Sequence, residues 1–392
     1  MNEKPPLSFL LLFAFAAVAT VSIALQNLLW AALGIWILEQ RRSRKSVSWP
    51  LNPFVIATLL FVGTYFAGAA MGVDPNNSSR TVFKYLILLA WIPLAAMRLD
   101  ARRVDAVLLA FVAGSAFCAA WGIGKYAAGI QARITSFSGH WMVFGGLLMI
   151  ASLLALHRVK EAPRKIPSWT LLLLVLVGLI LTQTRGAWFG FAAGFLWYSW
   201  KVDRKMLGWG LAFTLVGALL LPAPLKERVR SIWDSKLSYS NMERVAVWKA
   251  GLAIHRDHPI FGIGQGNMEK VYPGYRLPEA QEATVGHLHN NFLQVLVQNG
   301  WLGLAAYLAW ILSYFGAVLR SGPKDPQAAR QDHAFIGVFL AALVWGLTEY
   351  TFSHQFMMVV VLMLGLQWGM RQYEGPGSTT KTRRRQERHQ AY

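Results

Sequence analysis

The chain has 392 residues, of which 55% are hydrophobic and only 15% charged, with 17 tryptophans and a mean hydropathy of +0.37. That balance excludes an ordinary soluble domain and marks an integral membrane protein. The formal net charge of +19 does not signal nucleic acid, because most of the basic residues fall in short loops between apolar runs and in a disordered tail, and no nucleic-acid partner is expected.

Apolar runs recur along the chain at lengths near the roughly 20 residues an α-helix needs to cross a hydrocarbon core. Such runs must be helical, because backbone polar groups have no other partner in lipid. The fold class expected is therefore all-α, with about twelve transmembrane helices over 7–22, 24–39, 51–71, 82–97, 104–124, 141–157, 168–184, 186–200, 206–222, 301–319, 333–350 and 356–370. The organisation that follows is nine spans in 1–222, a polar loop containing helices in 223–300, three more spans in 301–372 and a basic tail in 373–392. The first apolar run is followed at once by another and has no small-residue cleavage site, so it reads as a span and not as a removable signal.

Basic residues fix the orientation. Arg41, Arg42, Arg44 and Lys45 follow the second run, and Arg98, Arg102 and Arg103 follow the fourth. Arg158, Lys160, Arg164 and Lys165 follow the sixth, Lys201, Arg204 and Lys205 the eighth, and Arg320 and Lys324 the tenth. Both termini are expected in the cytoplasm, with the long loop on the opposite, periplasmic face. The lone Cys118 lies inside the fifth run, which rules out an intramolecular disulfide and offers no cysteine metal site.

Three arginines then stand outside the topological pattern: Arg80 before the fourth run, Arg133 after the fifth, and Arg185 between two apolar runs. A guanidinium so near hydrocarbon either snorkels to lipid phosphate or faces a cavity and partner, and its planar donors match phosphate oxygens. The long loop adds Arg228, Arg230, Arg244, Arg256 and Arg276, a basic content that suits an anionic ligand. Asn241 to Lys249 reads as the start of an amphipathic helix with Arg244 near its N-terminal end, placed either to meet an anion or to pair with a carboxylate.

His289, in Gly286-His287-Leu288-His289-Asn290-Asn291, is the candidate general base, since imidazole takes up a proton near neutral pH. The plainer alternative is a histidine that only caps the following helix. His287 and His289 are a possible zinc pair, but no His-x3-His or clustered carboxylates accompany them, so no metal is expected. Gly262-Ile263-Gly264-Gln265-Gly266 lacks a full dinucleotide fingerprint and reads as a tight turn. Glu349, near the outer end of the eleventh run, is placed to orient His289, to bind an acceptor, or to form a helix-end hydrogen bond.

These residues carry a family resemblance. His289-Asn290, nine further residues and Gly300-Trp301-Leu302-Gly303 resemble the His-Asn-x9-Gly-x2-Gly pattern of the bacterial O-antigen ligases (WaaL) and their relatives. Arg244-x3-Trp248, the His258-to-Gly264 stretch and Thr184-Arg185-Gly186 resemble that superfamily too, as does the layout of about twelve spans with one large loop before the last three. The resemblance implies a GT-C-like glycosyltransferase of the Gram-negative inner membrane, working at the periplasmic face. It would move O-antigen from undecaprenyl pyrophosphate to a sugar hydroxyl of lipid A-core, with no cofactor.

By its motifs, the family's essential groups map onto Arg185, Arg244 and His289. Arg80, Arg133, Arg276, His287, Asn290 and Glu349 are further candidates for binding pyrophosphate or acceptor. The physical reading suits that chemistry: arginines stabilise a pyrophosphate leaving group without metal or general acid, and the base activates the attacking hydroxyl for direct displacement with inversion. An O-antigen polymerase and a protein O-oligosaccharyltransferase share the motif, and the compact chain without an added C-terminal domain favours the ligase. A flippase of lipid-linked sugar is the alternative of a different class, but it calls for charges along the middle of spans.

Overall fold

The computed structural model describes residues 5–21, 27–43, 47, 49, 52–137, 140–161, 165–210, 212, 226, 229, 239–320, 322–323, 325–352 and 354–373. Among these residues the fold is all helical, without strands. The expected span at 206–222 falls largely outside the described residues, as do Arg44, Lys45, Arg164, Arg228, Arg230, Lys324 and the tail 374–392.

In chain order the α-helices are α1 (Leu7–Val18), α2 (Asn27–Ser43), α3 (Pro53–Met71), α4 (Pro75–Val82), α5 (Trp91–Ala96), α6 (Ala101–Ala127) and α7 (Trp141–Glu161). There follow α8 (Lys165–Leu181), α9 (Arg185–Val202), α10 (Tyr239–Asp257), α11 (Met268–Val271), α12 (Asn291–Arg320), α13 (Pro326–Trp345) and α14 (His354–Gln372). Five stretches are long and apolar enough to cross a membrane: Pro53–Met71, Pro75–Ala96, Ala101–Ala127, Trp141–Glu161 and Asn291–Arg320. The helices Leu7–Val18 and Lys165–Leu181 are apolar but shorter. These helices suit a membrane protein.

Local sequence explains several helix starts. Asn52-Pro53, Asp74-Pro75 and Asp325-Pro326 each put a capping side chain before a proline whose missing N–H costs nothing there. The cap oxygens accept from Val55, Asn77 and Ala328 backbone N–H at 3.0, 3.1 and 2.8 Å. The stretch expected as one span at 82–97 instead runs from Pro75 as α4, a 3-10 segment Phe83–Leu89, and α5. Pro93 sits inside α5 and cannot donate to the residue a turn earlier.

α7 and α14 form the buried centre. An aromatic cluster of Phe54, Phe61, Trp91, Tyr307, Trp310, Tyr314 and Trp368 binds α3, α5, α12 and α14 together. In lipid, close helix approach replaces the hydrophobic drive, and small residues permit it. Gly186, Gly190 and Gly194 lie one turn apart on α9, against α13. A methyl at Gly186 would stand 2.3 Å from Thr348 Oγ1, at Gly190 2.7 Å from the Ala341 carbonyl, and at Gly194 2.6 Å from the Gly337 carbonyl. This seam sets Arg185, the first residue of α9, beside the α13–α14 turn.

α12 begins at Asn291 and not near residue 301, and it is broken at Gly300, whose φ of 64° and ψ of −163° are open only to glycine. The break exchanges backbone partners. Trp301 N–H donates to the Pro259 carbonyl at 2.8 Å, while Ile263 and Gly264 donate to the Val297 and Gln298 carbonyls at 2.9 and 3.0 Å. Three of the groups the break frees are thereby satisfied. Gly262, Gly264 and Gly266 all have positive φ, the tight turn expected there. The other side of that turn is held to α4: Ser78 Oγ donates to the Gln265 carbonyl, and Asn267 Nδ2 to Ser78 Oγ, both at 3.0 Å.

Candidate active site

Four connections converge on the segment 286–290. α10 supplies Arg244 and Trp248 one turn apart, so both point to the same side. Trp248 Nε1 donates to the Leu288 carbonyl at 2.7 Å, and Gln294 Oε1 accepts from Leu288 N–H at 2.7 Å. Asn290 Oδ1 caps α12 by accepting from Phe292 and Leu293 N–H at 2.9 and 3.1 Å. Between these anchors His289 is held at φ 50°, a left-handed conformation that costs a β-carbon residue about 1–3 kcal/mol unless its surroundings enforce it.

Asn291 carries the fourth connection. Its N–H donates to the Gly346 carbonyl at 2.7 Å, its Nδ2 to Thr351 Oγ1 at 2.6 Å, and its Oδ1 accepts from Thr351 N–H at 2.8 Å. These bonds latch the α13–α14 turn to the start of α12 and bring Glu349 to His289. The His289 Nδ1 to Glu349 Oε1 distance is 2.9 Å, and Glu349 is only 5% exposed. A carboxylate on Nδ1 fixes the tautomer with Nε2 unprotonated, so the outer ring nitrogen is the available base.

Arg244 Nη2 lies 3.6 Å from the other Glu349 oxygen, the carboxylate pairing that the sequence left open. Burial alone raises the Glu349 carboxyl. The His289 hydrogen bond and the charges of His289, His287 and Arg244 outweigh it, and the carboxyl is held below its ordinary range. Burial pushes the Arg244 guanidinium down while Glu349 opposes that shift, yet an arginine remains protonated.

Arg185 is 8% exposed, and its Nη2 donates to Asn241 Oδ1 of α10 at 2.7 Å. It feels the positive charges of Arg244 and Arg133. Arg133 lies over the Trp141 ring at 5.3 Å and is driven down by burial. Glu349 thus joins His289 and one guanidinium, Arg244, and Arg185 is near enough to sense both Arg244 and Arg133.

His287 touches His289 edge to face at 4.3 Å and stacks on Tyr350 at 5.4 Å. Burial first, and then the charge of His289, pushes the His287 imidazole down to about 4, so it is neutral at physiological pH. Tyr350 shares a 2.7 Å hydroxyl hydrogen bond with Tyr85 of the 3-10 segment.

The other candidates take different places. Asn290 spends its side chain on the α12 cap and on the Leu347 carbonyl at 2.9 Å. Arg276 donates to the Ala280 carbonyl at 2.6 Å within its own loop. Arg80 is exposed on α4, and among the described residues no hydrogen bond or ion pair joins it to the His289 cluster. Sequence reasoning passed over Asn241, Asn291 and Tyr350. It also passed over His140, which senses Glu349, Arg133 and His289 and is lowered first by burial. The available signals were weak: an amide at a helix start, and a His-Trp pair before an apolar run.

Donor atoms of His287, His289 and Glu349 lie within 4.8 Å of one another, a His2Glu set of the kind zinc accepts. A cation there would have to displace Arg244 from Glu349 and tolerate its charge, which His287 also feels. The surrounding field favours an anion.

No curated protein matches the chain. Residues 170–308, which span α8 to the middle of α12 and include Arg185, Arg244 and His289, match the O-antigen ligase family, consistent with a member of the O-antigen ligase/polymerase superfamily.

Proposed function

We propose that this protein is an O-antigen ligase. It transfers O-antigen polysaccharide from undecaprenyl pyrophosphate to a sugar hydroxyl of lipid A-core at the periplasmic face of the inner membrane, completing lipopolysaccharide. The observation that carries the reading is the single carboxylate, Glu349, shared by His289 at 2.9 Å and Arg244 at 3.6 Å, with Arg185 close enough to feel the charge of Arg244. Base and anion-binding groups are thereby within reach of one substrate pair.

In this mechanism His289 Nε2 takes the proton of the acceptor hydroxyl as its oxygen attacks the anomeric carbon. The anomeric carbon–phosphate oxygen bond breaks on the opposite face, inverting the centre, and the electron pair leaves on undecaprenyl pyrophosphate. Arg185, Arg244 and Arg133 stabilise the charge that grows there, which makes a divalent cation unnecessary. Glu349 balances the imidazolium and fixes its orientation. Neutral His287 packs beside it without adding a competing charge. Both lipid tails stay in the bilayer while the headgroups meet, so the membrane supplies part of the orientation.

The test is transfer in vitro, with purified protein, undecaprenyl-pyrophosphate-linked O-antigen, rough lipopolysaccharide and EDTA. Glycosylated lipid A-core that forms in EDTA and is lost in His289→Ala supports the ligase. Glycan that lengthens on the lipid donor instead assigns a polymerase. Absence of any glycosylated acceptor moves lipid-linked sugar transport to the front.

A further inference from the structure

α10 presents a second face, opposite in character to the one that builds the site. Met242, Val245, Lys249, Leu252 and Arg256 are exposed along it, spaced alternately three and four apart, which places them on one narrow stripe. Asp257, the last residue of the helix, is also exposed but lies off that stripe and accepts from the Tyr275 hydroxyl. Val245 is 46% and Leu252 43% exposed, although both are aliphatic. The buried face carries Val247, Ala250 and Ile254, which form a small core with Leu288, Val285 and Val297. A helix that buries one apolar face, turns the half-buried Arg244 and Asn241 to the site and still shows aliphatic residues outward calls for a cover.

The stripe continues onto α12. His255 packs its ring against Trp301 at 5.0 Å, and Trp301 N–H is bonded to the Pro259 carbonyl. Trp301 is 58% exposed, and beyond it Leu302, Leu308, Leu312 and Leu319 are exposed along the same candidate span. From Trp301 to Arg320 is about 20 residues, or about 30 Å of helix at 1.5 Å per residue, the thickness of a hydrocarbon core. Trp301 then stands at one boundary and Arg320 at the other, as interfacial tryptophans and arginines do. The buried side of α10 packs on α12 around Val297 and Trp301, at the end where the span meets the headgroup region, so the stripe on its outer side lies at about that level.

We propose that α10 is an interfacial helix, with Met242, Val245 and Leu252 set into the headgroup–acyl boundary of the outer leaflet and Lys249 and Arg256 turned to lipid phosphates. The stripe is basic and apolar with no acidic member; Lys249 also lies 4.0 Å from Glu279 at its edge. Such a composition suits an anionic membrane surface. The consequence for the site is its depth. Arg244 and Asn241 ride on the same helix, so lipid contact on one face holds the guanidinium groups of the other at the level of lipid phosphates. The inference does not depend on the proposed reaction and is read without substrate.

The experiment places a nitroxide at Val245→Cys or Leu252→Cys in a Cys118→Ala background, with the full chain in nanodiscs of phosphatidylethanolamine and phosphatidylglycerol. Leu308→Cys is the lipid reference and Thr284→Cys, exposed in the loop before His287, the water reference. Accessibility to oxygen relative to a water-soluble nickel chelate is expected to be several-fold higher at 245 and 252 than at 284, and close to that at 308. Labels at 245 and 252 that follow position 284 place the stripe in water and overturn the proposal. Labels shielded from both reagents show a protein cover, whether residues 211–238 or a second copy of the chain, and overturn it equally.

Discussion

Replacing Glu349 with glutamine preserves the shape and an acceptor for His289 Nδ1 but removes the charge. With the contact at 2.9 Å, the charge centres of carboxylate and imidazolium are about 4 Å apart, and at an effective dielectric near 20 their attraction is about 4 kcal/mol. A transition state with the proton half transferred realises about half of that, and each 1.36 kcal/mol is a factor of about ten. The expected loss in kcat is therefore between about 30-fold and 1,000-fold. The KM for the lipid-linked donor changes little, because Arg244 is not removed and loses only the partner 3.6 Å away. Single-turnover transfer to rough lipopolysaccharide at saturating donor separates the two parameters. A glutamine variant that keeps kcat within about threefold of wild type would refute the view that the Glu349 charge is used in the transition state.

Three further outcomes follow from the same geometry. Arg244→Ala is expected to lower kcat/KM for the donor by about 10²–10³, the cost of one donor to developing charge, whereas Arg276→Ala, whose side chain serves its own loop, leaves it near wild type. Steady-state kinetics with varied donor decides this. Gly190→Ala puts a methyl 2.7 Å from the Ala341 carbonyl and 2.4 Å from Met149 Sδ and is expected to destabilise by about 1–3 kcal/mol through overpacking, seen as a lower Tm. Gly124→Ala, with open space around it, is the control and leaves Tm unchanged or slightly raised. His287, pushed down to about 4 from 6.5, binds a proton in the unfolded chain before it does so in the folded one. Its contribution is whole above about pH 6.5 and is lost as pH falls through about 4, by at most about 3 kcal/mol. His287→Phe is expected to flatten that part of the acid stability curve, measured by thermal unfolding from pH 7 to pH 4.

How much of this was legible in the sequence depended on the range of the interaction. Composition and apolar run length determined the all-helical membrane class, because lipid leaves the backbone no alternative partner. Asn241 to Lys249 declared a helix through its own periodicity, and the glycines of 262–266 declared a turn. His289, Arg185 and Arg244 were singled out because their residue types are costly near hydrocarbon or titrate near neutrality. The other candidates came from weaker signals, Asn290 from its place in the motif, Arg276 from the basic content of the loop and Arg80 from position alone. In the structure Asn290 caps a helix, Arg276 ties its own loop, and no described bond joins Arg80 to the His289 cluster.

Only the tertiary structure decided how His289 and Arg244 come to share Glu349, with Arg185 near enough to sense Arg244. Arg185, Arg244 and Glu349 are separated by scores of residues, and no local propensity encodes their approach. The α9–α13 glycine seam, the Asn291 latch to Thr351 and the Trp248 bond to Leu288 bring them together, each a contact between distant segments. The break at Gly300 belongs to the same class. Its glycine is visible in the sequence, but the need for glycine arises from the Ile260 carbonyl, which would stand 2.0 Å from any β-carbon placed there. Sequence sets what each segment can form alone; the pairing of buried polar groups across segments, which carry a high penalty if unsatisfied, selects the one arrangement that builds the site.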